Sequence, residues 1–74
     1  MITKEEASGM VSNALGAREC ELEVNDHPAG PVAVVKRQGR AMSVHFLEGA
    51  EGIYPELLRD LVTQYDKQDW TVTL

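Results

Sequence analysis

GIYPELLRDLVTQYDK, residues 52–67, decides the fold. Ile53, Leu57, Leu58, Leu61, Val62 and Tyr65 recur at spacings of four, one, three, one and three, which is one face of a helix of 3.6-residue period. Glu56, Arg59, Asp60, Thr63, Gln64 and Lys67 make the opposite, solvated face. Pro55 suits the first turn, where its missing N–H would have no partner anyway. Glu56 and Asp60 lie toward the positive N-terminal end and Lys67 toward the negative end, as the helix dipole favours. An amphipathic helix of this length needs a sheet to cover.

The strands follow from alternation. In Glu19–Val24, Cys20, Leu22 and Val24 point one way, and Glu19, Glu21 and Glu23 the other. Val32–Lys36 is β-branched and reads as a second strand. Ala41–Leu47 reads as a third. Residues 25–31, NDHPAGP, are turn chemistry throughout. Between the second and third strands, a three-residue loop ending at Gly39 sets Val34 opposite Met42 and Val32 opposite Val44. A two-residue loop, Gln38-Gly39, sets Val35 opposite Met42 instead. The longer loop is favoured here, because it also lays Val32 and Val34 beside Val24 and Leu22. The expected core face is then Cys20, Leu22, Val24, Val32, Val34, Met42, Val44 and Phe46.

Toward the N-terminus, Thr3-Lys4-Glu5-Glu6 reads as a capping box, with Ile2 and Ala7 at the staple positions. Ala7, Met10, Val11, Ala14 and Leu15 give a helix over residues 4–15, stopped by Gly16. Gly9 inside it suggests close approach of another backbone. After the long helix, Trp70, Val72 and Leu74 alternate with Thr71 and Thr73 as a last strand. A right-handed crossover would lay it parallel beside the first strand, or it could join a partner's sheet.

The fold expected for residues 1–74 is therefore one compact α+β domain in α-β-β-β-α-β order. It has a mostly antiparallel four-strand sheet with both helices packed on one face.

A chain of 74 residues has a thin stability margin, so burying more surface by dimerising is a standing option. The single Cys20 forms no internal disulfide and fits a reducing compartment. No apolar run approaches the ~20 residues of a membrane span. A soluble, cytoplasmic protein is the expectation. With 12 acidic against 7 basic residues the net charge is −5, which opposes general binding to phosphate backbones.

Chemistry-bearing constellations are few. Glu19, Glu21 and Glu23 form an acidic row whose side chains repeat every ~6.8 Å along a strand face. Such a row fits a phosphate mimic, an acidic patch that docks a basic partner, or a solvated face that keeps an edge strand from pairing. Lys36, Arg37 and Arg40 make a basic hairpin tip. Tyr54, off the apolar stripe, is expected to be exposed and available for contact. His27 beside Asp26 lacks a further His or Cys at ligand spacing, so no metal or cofactor is expected. His45 is expected on the sheet face away from Cys20, which separates the two members of a Cys–His pair.

These residues favour a small non-catalytic protein-interaction module: an inhibitor, antagonist or regulatory subunit acting through Glu19, Glu21 and Glu23. Lys36, Arg37, Arg40 and Tyr54 complete the expected contact set. Compact acidic chains of this kind are associated with phage and mobile elements. A homodimer through the sheet or its edge strand is the other arrangement the sequence allows. The alternatives are a nucleic-acid contact through the basic tip and a small enzyme using His27 or Cys20 with His45.

Overall fold

The computed structural model describes residues 2–67 and the backbone of 72–73. Helix α1 spans Lys4–Leu15. Its capping box is present: Glu6 N–H donates to Thr3 Oγ1 at 3.1 Å, and Thr3 N–H donates to Glu6 Oε1 at 3.0 Å. Gly16, at φ 60°, ends the helix and donates its N–H to the Ser12 carbonyl. Ala7, Val11 and Leu15 are buried, and Met10 packs at their margin. A methyl group added at Gly9 would meet nothing within 4 Å. The close approach expected at Gly9 is therefore absent among the described residues.

Three antiparallel strands follow: β1 (Glu21–Asn25), β2 (Val32–Arg37) and β3 (Arg40–His45). A 3-10 turn over Glu51–Ile53 leads into α2, Tyr54–Lys67. A further two-residue strand, β4 (Val72–Thr73), pairs antiparallel with β3, Arg40 facing Thr73 and Ala41 facing Val72. The expected parallel crossover beside β1 is not taken by these residues, and β1 stands at the sheet edge. The expectations for Trp70, Thr71 and Leu74 lie outside the described residues.

The hairpin register departs from the expected one. Gln38 (φ 52°) and Gly39 (φ 79°) are both left-handed and close a two-residue turn of Arg37 onto Arg40. This turn matches the right-handed twist of the strands it joins. The pairing slips by one residue: Val35 faces Met42 and Ala33 faces Val44. Across the other loop Leu22 faces Val35 and Val24 faces Ala33. Ala33 and Val35 are thus fully buried beneath the helices. Val32 and Val34, expected in the core, lie half-exposed on the opposite face with Glu21, Glu23 and Ser43. Met42, Val44 and Phe46 are buried as expected. Cys20, Leu22 and Val24 pack against the core from the edge.

The phase of the ladder is set at both ends. Phe46 N–H donates to the Pro31 carbonyl at 2.9 Å, and Arg37 closes on Arg40. Pro31, Ala33, Val35 and Arg37 therefore direct their backbone groups toward β3. Their neighbours Val32, Val34 and Lys36 direct theirs toward β1, where Asn25, Glu23 and Glu21 meet them. It follows that Leu22 and Val24 hold their N–H and C=O toward the outer edge.

Helix α1 packs on β1, β2 and α2, while α2 packs on β3. The α2 stripe is shifted at its start. Tyr54 is 6% exposed and Ile53 is 48% exposed, the reverse of the expected pair. Tyr54 stands four, seven and eleven residues before Leu58, Leu61 and Tyr65, which is also helical spacing. The preceding 3-10 turn rotates more per residue than an α-helix and throws Ile53 outward. Buried Tyr54 uses its hydroxyl on the Leu47 carbonyl at 2.7 Å and meets the Phe46 ring edge-to-face at 5.1 Å.

Candidate functional site: the β1 edge and its charged end

At the start of β1 the acidic row and the hairpin tip come together. Glu19, Cys20, Glu21, Lys36, Arg37, Gln38 and Gly39 surround an open groove of about 420 Å³. Two strand faces meet here. Glu21 and Lys36 lie opposite one another on the outer face, whereas Arg37 and Arg40 belong to the helix side of the sheet.

Lys36 divides the acidic row. Its Nζ donates to Glu23 Oε2 at 2.6 Å, diagonally across the outer face. That hydrogen bond, with the Lys36 charge behind it, holds the Glu23 carboxyl below its ordinary range. The same pairing, with a smaller contribution from Glu21, raises Lys36. Glu19 and Glu21 remain exposed at the margin. The row is thus not three equivalent charges at phosphate spacing.

The basic tip is divided as well. Lys36 is committed to Glu23, and the Arg37 guanidinium lies over the Tyr65 ring, 5.4 Å from its centre. Tyr65 closes this end of the core, its hydroxyl donating to the Glu19 carbonyl. Arg40 faces Arg37 across the hairpin end. Tyr54, expected as an exposed contact, is buried and lies apart from this cluster.

Cys20 lines the groove, but burial pushes its thiol upward, with Arg37 opposing. That direction is the opposite of an activated thiolate. His45 does not line this groove.

A second groove follows the open edge. Lys4, Glu5 and Ser8 of α1 form one wall, and Leu22 and Val24 of β1 the other, around about 370 Å³. Both β1 side chains are half-exposed there.

One contact was not legible from spacing. His27 and His45 meet edge-to-face, ring centres 4.8 Å apart. Ala29 N–H donates to His27 Nδ1 at 3.0 Å, and His45 Nε2 lies 3.0 Å from the Gly30 carbonyl. A carbonyl only accepts, so Nε2 of His45 carries the proton. Both rings thus hold the 25–31 loop against β3. His27 also borders an open depression with Glu5, Asp26 and Glu48. Among the described residues no set of three or more His, Cys, Asp or Glu is placed to hold a metal ion, and no helix is long and apolar enough to cross a membrane.

No family model matches the chain, and neither a curated protein nor a solved structure matches it significantly.

Proposed function

We propose that the protein is a non-catalytic interaction module, an inhibitor, antagonist or regulatory subunit, that docks a basic protein partner at the Glu19–Glu21 margin. The observation that carries this reading is the exposure of Glu19 and Glu21 at a sheet edge, beside a sheet face that neither helix covers. Protein docking is favoured over phosphate mimicry because Lys36 offsets Glu23. Nucleic-acid contact through the hairpin tip is disfavoured by the same pairing and by the net charge of −5. The acid–base alternative keeps one supporting feature, the depression that His27 shares with three carboxylates. A full fourth strand over 70–74, completing the α-β-β-β-α-β order, belongs to this proposal. It rests on the Trp70, Val72, Leu74 alternation and the two-residue pairing with β3.

The test is a pull-down with wild type and the Glu19→Lys, Glu21→Lys double variant as baits. Loss of the captured partner with an unchanged melting temperature supports docking through these acids. An unchanged set of captured proteins refutes it.

A further inference from the structure

We propose that the open edge of β1 receives an extended peptide segment as an added strand. The segment alternates lysine or arginine, facing Glu21, with apolar residues, facing Leu22 and Val24. The proposal rests on the acidic-margin reading above and adds the mode of recognition and the chemistry of the partner.

Three observations point to an added strand. First, Leu22 and Val24 hold their backbone N–H and C=O groups toward the outer edge, and no described residue pairs with them. Strand addition satisfies such groups. Second, β1 is a straight ladder without a bulge, and its sequence ELEVN contains neither proline nor lysine. Of the usual obstacles to pairing, only charged side chains are present, and both, Glu21 and Glu23, are acidic. Third, the groove between β1 and Lys4, Glu5 and Ser8 of α1 exposes the flanks of Leu22 and Val24 to inward-facing apolar side chains.

Charge then selects the partner. In an added antiparallel strand, edge-facing residues pair with edge-facing residues. If Leu22 met Val24 of a second copy, Glu23 would face Glu23. If Leu22 met Leu22, Glu21 would face Glu23. Like charges directly opposite each other oppose both of these registers, so the acids that disfavour self-pairing in them admit a basic strand.

The experiment measures binding of a short synthetic peptide of alternating Lys and Val to the wild-type chain at low salt. Two comparison peptides carry the same residues in blocks, or N-methyl groups on alternate backbone amides. The alternating peptide is expected to bind. Block order and N-methylation are each expected to weaken it by about tenfold or more, since block order breaks the side-chain alternation and N-methylation removes backbone donors, neither removing charge. The Val24→Pro variant is expected to do the same. Its lost N–H points away from β2, so it should still melt cooperatively.

Equal binding of all three peptides would overturn strand addition and leave charge docking intact. No binding of the alternating peptide would overturn strand addition outright. Undiminished binding by the Glu19→Lys, Glu21→Lys variant would overturn the basic-partner assignment, and the acidic-margin reading with it.

Discussion

Arg18 grips Asp66 through two parallel hydrogen bonds, Nε to Oδ1 at 2.7 Å and Nη2 to Oδ2 at 2.8 Å. Its third donor, Nη1, reaches the Leu15 carbonyl at 3.0 Å. One guanidinium thus caps the end of α1 and holds the last turns of α2 beside it. Both side chains remain well exposed, at 34% and 51%, so the pair sits in a strongly screened setting. Its geometry fixes how the two helices end together more than it adds to stability.

Replacing Asp66 by Asn should therefore lower the melting temperature only slightly, and less at high salt than at low salt. The hydrogen bond from Arg18 holds the Asp66 carboxyl below its ordinary range. A carboxylate depressed in the folded state contributes stability above its unfolded pKa. That contribution is lost as pH falls through the folded value. The difference between wild type and Asp66→Asn should accordingly shrink as a thermal-melt series is taken into acid. A gap that widens in acid would contradict the pairing.

The hairpin register gives a sharper contrast. Val35 is fully buried and Val34 is half-exposed on the outer face. Val35→Thr buries a hydroxyl among apolar side chains and should cost about 1–3 kcal/mol in urea unfolding. Val34→Thr should stay within about 0.5 kcal/mol of wild type. The opposite order would restore the three-residue loop.

Gln38 holds a left-handed conformation that only glycine, asparagine and aspartate adopt readily. Gln38→Asn, giving Asn-Gly at the turn, should raise stability by roughly 0.5–1 kcal/mol. Chemical denaturation would detect it. A loss of stability would mean that the turn is of another type.

Gly30 is the position least able to accept a side chain. Its φ is 124°, and an added methyl would lie 2.0 Å from the Phe46 carbonyl oxygen. Gly30→Ala combines strain with a backbone collision and should cost at least about 2 kcal/mol. In a domain of this size that is a large part of the whole margin, visible as a lowered urea midpoint.

Both helices were legible because their signals are local. Thr3 and Glu6 form a capping box three residues apart, and the α2 stripe repeats at helical spacing. The register was not. Both candidate loops contain Gly39, and Val32 and Val34 are better apolar candidates than Ala33. The choice depended on Gln38 adopting a positive φ, which glutamine does not advertise. Tyr54 and Ile53 exchanged roles because either fits the Leu57–Tyr65 stripe until the 3-10 turn fixes the phase. Glu21 and Glu23 lie on the outer face of β1 as the alternation implies, whereas Glu19 precedes the strand, and the pairing of Glu23 with Lys36 depends on the register. Arg18–Asp66 and His27–His45 are contacts between distant parts of the chain, and no sequence spacing announces them.

Amide hydrogen exchange along β1, residue by residue, tests the central arrangement most directly. Glu21, Glu23 and Asn25 turn their backbone groups to β2, and Leu22 and Val24 turn theirs outward. Exchange should alternate along the strand, slow at Glu23 and fast at Leu22 and Val24. Protection of Leu22 and Val24 in the isolated protein, or fast exchange at Glu23, would contradict the open edge and the register that produces it.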